Sequence, residues 1–368
     1  MKKNKILFLT LNTFSSIGGI EDVCKTFCKV LSDSVKSYKV LSINDDRHDP
    51  KFIDGKNFKG YNKNKLKFGL QAIKLGLKYD IIILSHINLV LFAWIMKFLN
   101  PKLRIILYAH GIEVWRPLPI WKTKFLRKFV EFWSVSTFTA QELATRHGID
   151  NKNIRILNNC LNPFFKLPLS FEKPAHLLRR YKIQSDQPIL FTLTRISSSE
   201  KYKGYDIIID LLPELIKIYP KLIYILSGKA DSDERDRLVK QIKMLNLENH
   251  VFLSGFVDYE ELSDHFLLSD GFILPSKKEG FGIVFIESAA CGCRVIAGNK
   301  DGSRDAVLNG ELGTLVNPDK REEILEAINK MLSKDKTIAE AKSIQTICLQ
   351  HFSFERYKEN VARLLKDN

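Results

Sequence analysis

The first half of the chain is short of acid. Residues 1–168 hold 12 Asp and Glu against 28 Lys and Arg, whereas the remainder holds 30 against 29, so the formal +15 of the 368-residue chain sits on its N-terminal side. Solubility alone does not call for such asymmetry. Attraction to an anionic surface does, because each base near one contributes about 1 kcal/mol at low screening. A nucleic-acid partner is the competing reading of a basic protein, but this charge is joined to no recognised nucleic-acid module, and the near-neutral half would have no part in it.

Other absences narrow the class. The six cysteines form no CxxC pair and meet no histidine at zinc-finger spacing, which leaves the reduced thiols of a cytosolic protein. Cys24 and Cys28 share one helical face and read as small buried side chains. No low-complexity tract is present. The opening "MKKNKILFLTLN" has too short an apolar run for a secretory signal and reads as a first strand. "IIILSHINLVLFAWIMKFL", residues 81–99, imitates a membrane span, but Ser85, His86, Asn88 and Lys97 interrupt it, so a strand, a turn and a buried helix are expected. Neither half carries GxGxxG in its first turn, which argues against a dinucleotide dehydrogenase.

What is present is a repeated unit of apolar run, polar turn and amphipathic stretch: "KILFLTL", "YDIIILS", "LRIILYAH", "FVEFWSVS" and "NIRILNN". Strands alternating with helices predict an α/β protein with parallel sheets covered on both faces. The pattern lapses at 160–176, where three prolines suggest a linker, and resumes at "QPILFTLTR", "KLIYILSG", "HVFLSGFV", "DGFILPS" and "CRVIAG". The reading is therefore two doubly wound, Rossmann-like domains facing a cleft, residues 1–168 and 169–352. A terminal amphipathic helix at about 353–368 carries Phe354, Tyr357, Val361 and Leu364 or Leu365 on one face and packs back on the first domain.

Chemistry gathers in the turns. Gly18 and Gly19 follow the first strand, where bare backbone lets a ligand approach a helix N-terminus; a plain tight turn reads equally well. Arg195, Lys201 and Lys203 precede Gly204 after the first strand of the second half, a fork and point charges suited to a diphosphate, or a solvated basic loop. In "EGFGIVFIE", Glu279 stands before a helix and Glu287 within it, and from the turn to Glu287 is about a turn and a half of helix, about 8 Å, comparable to a pyrophosphate. That spacing favours two carboxylates holding hydroxyls at the ends of an extended ligand over an acid/base pair acting on one bond. The alternative is a helix N-terminal charge and a surface glutamate.

Taken together these pieces resemble the retaining glycosyltransferases of family 4, with GT-B architecture. The resemblance runs from the Gly-Gly turn at 18–19 through His110-Gly111, "IRILNNCLNPFF", "TRISSSEKYKGYD", "LSGFV" and the Glu-x7-Glu of 279–287 to "AGNKDGSRDAVLNGELGTLVNP". It implies that Arg195 and Lys203 hold the diphosphate of a nucleoside-diphosphate hexose, that Glu287 holds the ribose hydroxyls, and that Glu279 holds hydroxyls of the transferred sugar. Gly280, Phe281 and Gly282 would meet the sugar and phosphate through backbone, Gly18 and Gly19 would close the diphosphate pocket, and His110 would lie beside the reacting sugar. Gly255 and Phe256 would line the base pocket. One departure stands out: where many relatives have Gly-Gly-x-Pro-Glu, this chain has "DGSRD", with Asp301 and Asp305 and no proline.

The resemblance implies front-face transfer with no cofactor and no metal, in keeping with the lack of an Asp-x-Asp motif placed to carry a divalent ion. The acceptor, a glycan or a lipid-linked sugar, falls to the basic half. There, 116–133 with Trp115 interleaves Trp121, Phe125, Phe129 and Trp133 with five bases, the composition of an interfacial helix, and 56–78 is similar. Each also reads as a buried helix with a solvated basic face. The protein is accordingly expected in the cytoplasm, peripheral at the inner face of an anionic membrane.

Overall fold

In a parallel sheet covered on both faces, alternate side chains on either side are buried, so strands are continuous apolar runs rather than alternating ones. The structure, a computed structural model, describes residues 4–366. One unit runs to Pro163 and resumes at Phe354; the other spans Phe164–Ser353. The division falls ahead of the expected 168/169 boundary, because Phe165 already meets Tyr259 edge-on at 6.1 Å and the Lys166 carbonyl accepts from the Ser263 hydroxyl. Residues 1–3 and 367–368, the outer ends of the expected first domain and terminal helix, lie outside the described residues.

In the first unit, β1 (Ile6–Thr10), β2 (Tyr38–Ser42), β3 (Phe58–Gly60), β4 (Ile81–Leu84), β5 (Arg104–Ala109), β6 (Val130–Ser134) and β7 (Ile154–Ile156) form a sheet in the order β3-β2-β1-β4-β5-β6-β7. Every pairing in it is parallel. Its helices are α1 (Gly19–Ser34), α2 (Lys65–Gly76), α3 (Val90–Leu99), α4 (Ile112–Trp115), α5 (Ile120–Phe129) and α6 (Thr137–His147). Cys24 and Cys28 are indeed buried on the inner face of α1.

The second unit holds α7 (Ala175–Tyr181), α8 (Tyr205–Ile218), α9 (Ser232–Met244), α10 (Leu262–Leu268), α11 (Ile283–Ala290), α12 (Ser303–Ala306), α13 (Arg321–Leu332) and α14 (Ile338–Phe352). Its strands β8 (Ile189–Leu193), β9 (Ile223–Ser227), β10 (Val251–Gly255), β11 (Gly271–Leu274), β12 (Arg294–Gly298) and β13 (Thr314–Val316) lie in the order β10-β9-β8-β11-β12-β13. Both sheets reverse direction of growth beside their first strand, between β1 and β4 and between β8 and β11. Ligands of such sheets bind outside the strands' carboxyl ends at that reversal.

The last helix, α15 (Phe354–Lys366), belongs to the first unit and packs on α1. Tyr357 carries its hydroxyl to that of Tyr108 at 2.7 Å, within a fully buried aromatic nest of Phe27 and Trp133. Arg104 forks onto Glu131 and donates to the Leu364 and Leu365 carbonyls (2.9 and 3.2 Å), holding the C-terminal end of α15 where the helix dipole is negative.

Two expectations for the first unit need correcting. The helix of 81–99 is not buried: only Val90, Ala93 and Met96 of α3 are, while Leu91, Trp94, Phe98 and Leu99 are 48, 47, 81 and 52% exposed. The apolar run is continuous because one side feeds the core and the other lies open. Nor is 116–133 one helix, since α5 ends at Phe129 and Trp133 is fully buried in β6; Trp115 and Phe125 are also buried, leaving Trp121 and Phe129 exposed.

The Tyr108–Tyr357 bond generates a test. Tyr357→Phe leaves the Tyr108 hydroxyl buried without that partner and should cost about 1–3 kcal/mol in a urea melt, whereas Tyr357→Ala should cost more through the cavity it leaves.

Candidate functional site

In the second unit, Arg195 and Lys203 lie in the loop after β8, and Glu279 and Gly280 in the loop after β11, so adjacent strands deliver them to the point of reversal. The structure brings Lys203 and Glu279 together as an ion pair, with side chains only 15 and 14% exposed. Burial on its own would lower the Lys203 pKa, but the opposed Glu279 carboxylate more than offsets it and raises the ammonium above its usual range. Lys203 and Lys278 each stand 5.6 Å from the Tyr202 ring centre, and the Lys277 N–H donates to the Tyr202 carbonyl at 2.9 Å. The two loops are thereby stitched to each other.

Glu279 is placed by the "DGSRD" segment. Asp301, fully buried, accepts the Glu279 N–H at 2.6 Å and the Ser303 N–H at 3.0 Å, and the Gly302 N–H donates to the Glu279 carbonyl at 2.8 Å. A Cβ on Gly302 would stand 2.1 Å from the Gly280 carbonyl oxygen, so glycine is required by close backbone approach. Burial, then the Glu279 charge, pushes the Asp301 carboxyl up to about 7. The "DGSRD" segment is thus a clamp on the loop after β11.

Gly282, at φ +86°, precedes α11 and offers no side chain to cap it, so the first-turn N–H groups and the positive end of the dipole are presented bare. Phe281 turns the other way, into the core against Phe352 at 5.7 Å, which leaves only its backbone for a ligand. Glu287 lies on α11, 9% exposed.

Not every expected residue joins this group. Arg195 is 63% exposed and donates to Glu200 at 2.8 Å. Gly255 ends β10 beside a cavity of about 220 Å³ lined with Ile196, Gly228, Arg235, Leu253 and Ser254, whereas Phe256 is 56% exposed and not part of that lining. The chain contains an Asp-x-Asp, Asp231-Ser232-Asp233, at the start of α9. The structure uses it as a helix cap: Asp231 accepts the N–H groups of Glu234 (2.8 Å) and Ser198 (3.0 Å).

In the first unit, Gly18 is extended and Gly19 opens α1 with nothing within 4 Å of where a Cβ would stand, so neither turn geometry nor crowding demands glycine at 19. What the pair leaves is bare backbone at a helix start. The preceding loop is fixed by a residue that sequence reasoning missed: buried Asp45 accepts the N–H groups of Thr13, Phe14 and Ser15 at 2.8, 3.1 and 2.7 Å.

His110 follows β5 and stacks nearly parallel on Tyr108, with Nε2 3.0 Å from the Ser85 carbonyl. A nitrogen facing a carbonyl carries the hydrogen, leaving Nδ1 as the acceptor. Burial, then nearby His86, pushes the imidazole down to about 3, so it is neutral at physiological pH. Glu113 accepts the His110 N–H at 2.6 Å, and burial raises its carboxyl to about 7. Only the placement of His110 at a strand end was legible in advance; Glu113 gave no signal beyond being an acid among bases.

Two doubly wound parallel-sheet units, one with a Lys–Glu pair at its sheet reversal, define a Rossmann-like α/β protein of the kind that binds a ligand at the strands' carboxyl edge. The comparisons with known proteins specify it. Residues 17–163 match the family described as Glycosyltransferase Family 4, and 177–345 match Glycosyl transferases group 1. The chain belongs to glycosyltransferase family 4, and its fold is GT-B. It is 29% identical over 64% of its length to a GDP-mannose-dependent alpha-(1-6)-phosphatidylinositol monomannoside mannosyltransferase of Mycolicibacterium smegmatis. It is 26% identical over 67% of its length to the 2-deoxystreptamine N-acetyl-D-glucosaminyltransferase of Niallia circulans. In these matches the chain spans slightly under two thirds of each relative's own length, 63 and 64%. Among solved structures, HepE of Anabaena in complex with UDP superposes with a TM-score of 0.78 at 20% identity over 99% of this chain and all of that one. A glycosyltransferase from Rickettsia africae gives 0.80 at 19%, with the same coverage.

The raised Glu113 carboxyl has a consequence for stability. In the native state it keeps a proton that the unfolded chain, near its ordinary 4.5, has already lost, so its contribution to stability falls as pH rises toward 7. Glu113→Gln removes that slope. The unfolding free energy of the variant relative to the natural chain should improve by roughly 2 kcal/mol between about pH 5 and pH 8, measured by urea melts across that range.

Proposed function

We propose that the protein is a retaining glycosyltransferase that moves a hexose from a UDP- or GDP-linked donor to a glycan or lipid-linked acceptor, in surface polysaccharide or glycolipid synthesis. The observation that carries the reading is the Lys203–Glu279 pair, clamped by Asp301 and Gly302, in front of the uncapped α11. A buried pair poised at a helix N-terminus is what a diphosphate-sugar would part: the ammonium turns to the phosphates, and the carboxylate is freed for sugar hydroxyls. Relatives named for GDP-mannose and a solved neighbour holding UDP support a nucleotide-sugar donor.

In this reading the bond from the anomeric carbon to the β-phosphate oxygen breaks with its electrons leaving on phosphate. The acceptor hydroxyl adds from the same face and passes its proton to the departing phosphate oxygen, with no metal or cofactor. Lys203 and the α11 N–H groups stabilise the charge as it develops, and Arg195 joins them once it exchanges Glu200 for phosphate. Glu287 holds ribose, Gly255 borders the base cavity, and the backbone of Gly18 and Gly19 approaches the diphosphate. Neutral His110 serves the reacting sugar as a hydrogen-bonding group rather than as a cation.

Release of nucleoside diphosphate from a panel of UDP and GDP sugars tests this. Glu279→Ala should lower turnover by about 100-fold or more with the fold intact by thermal melting; unchanged turnover would remove the central assignment.

The same reading places the protein in the cytoplasm, peripheral at the inner face of the membrane. Among the described residues no helix is long and apolar enough to cross a membrane. α2, α3 and α5 pack side by side and expose Leu66, Leu70, Trp94, Phe98, Ile120 and Trp121 among lysines. The Lys97 and Lys128 ammonium groups stand 5.6 and 5.2 Å from the Phe129 ring centre, and Lys97 also donates to the Pro101 and Leu103 carbonyls at 2.8 and 2.7 Å. The protein should pellet with vesicles rich in phosphatidylglycerol at low salt and be released near 1 M salt, where the Debye length shrinks to ~3 Å. Phe98→Asp should abolish the pelleting.

A further inference from the structure

Beside His110, the short turn that follows β4 gathers more positive charge than its surroundings neutralise. The Arg116 guanidinium donates to the Asn88 side-chain oxygen at 2.7 Å, and the Lys122 ammonium reaches toward the Ile87 carbonyl at 3.4 Å. His86 accepts the Asn88 N–H on Nδ1 at 3.0 Å. Two basic side chains, Arg116 and Lys122, thus converge on the turn that carries His86. Among the described residues neither Arg116 nor Lys122 is ion-paired with a carboxylate, and Glu113, which feels Arg116, is itself held near neutrality. Burial and the neighbouring cations press His86 down to about 4 and lower Lys122, the mark of like charges without a counter-ion.

This cluster borders the apolar face. Lys122 stands 5.7 Å from the Trp121 ring centre, and Trp121 meets Trp94 of α3 edge-on at 6.4 Å. Those two indoles are 44 and 47% exposed and are followed by Phe98 at 81%. On its other side the turn carries the Ser85 carbonyl that holds His110. A polar anion seat therefore lies between an open aromatic ridge and the histidine assigned to the reacting sugar.

We infer that Arg116 and Lys122, seated on the 86–88 turn, bind the phosphate or pyrophosphate of a lipid acceptor whose apolar chain lies over Trp121 and Trp94. The inference rests on the glycosyltransferase reading and gives it an acceptor class. A free anion would satisfy the charges and leave the ridge bare, and an uncharged lipid would cover the ridge and leave the cations unpaired; a lipid phosphate does both. The reacting sugar or hydroxyl, joined to that phosphate, is directed toward His110.

Calorimetric titration of the full chain with farnesyl pyrophosphate, inorganic pyrophosphate and farnesol tests the assignment without any donor. Farnesyl pyrophosphate should bind at least about tenfold tighter than either of the others. The double variant Arg116→Gln, Lys122→Gln should lose about tenfold or more of that affinity, and Trp121→Ala should weaken farnesyl pyrophosphate while leaving pyrophosphate unchanged, both variants melting as the natural chain does. Pyrophosphate binding as tightly as its farnesyl ester, or the double variant retaining full affinity, would overturn the inference, the latter also being the result if the compound merely entered the donor's diphosphate seat. Because the readout is binding, a donor panel that releases no nucleotide would sink the transferase reading and leave this result standing.

Discussion

The loops that follow β11 and β12 depend on one buried carboxyl group. Asp301 takes two backbone N–H groups, one from Glu279 in the connection after β11 and one from Ser303 in the connection after β12, and so ties those two connections together. Glu279 then needs no partner of its own to be in place, and its side chain remains available for Lys203. Gly302 completes the arrangement by letting two backbones approach to a distance that any Cβ would forbid. The cost is visible in the raised Asp301 carboxyl: a charge in a dry site beside a second carboxylate is unfavourable, and only the donated N–H groups hold it there.

The same device recurs. Asp45 fixes the loop after β1 through three N–H groups, and Asp231 ties the loop after β8 to the start of α9 through two. In each case a carboxylate from one connection is spent on the backbone of another connection at the carboxyl edge of the sheet. The physical reason is common to all parallel sheets. Connections emerging at that edge lose the ladder hydrogen bonds that held the strands, and their N–H groups must find acceptors or water. Short acidic side chains supply acceptors without bulk, leaving glycine and helix ends bare toward whatever binds there.

Legibility in the sequence follows from how local each signal is. The alternation of strands and helices was readable because apolar runs such as "IIIL" and "ILFTL" are buried and punctuated by polar turns. Lys203 and Glu279 were readable as site residues by spacing and resemblance, but that they pair with each other was not, since they are far apart in sequence and meet only through the neighbouring of β8 and β11. Asp301 was seen as a loss of pattern, because its role is a contact to a remote backbone and leaves no periodic trace. α3 was misread for a different reason. Composition registers how apolar a helix is and not which side is covered, so Trp94 and Phe98 looked like core until α2 and α5 were placed beside them.

That misreading bears on the charge asymmetry. A basic surface alone attracts any polyanion, and an apolar ridge alone invites any hydrophobic contact; their coincidence on α2, α3 and α5 is more selective than either. The Lys128 ammonium stands 5.2 Å from the Phe129 ring centre at the rim of the apolar face, while Lys97 is turned to the Pro101 and Leu103 carbonyls at 2.8 and 2.7 Å. Arg116 and Lys122 differ from Lys128 in meeting oxygen acceptors of the 86–88 turn. A mobile lysine loses rotamer entropy on meeting a phosphate, whereas a side chain already held by a carbonyl or amide oxygen has less to lose. The diffuse charge therefore suits attraction to a surface, and the two anchored bases suit recognition of one headgroup on it.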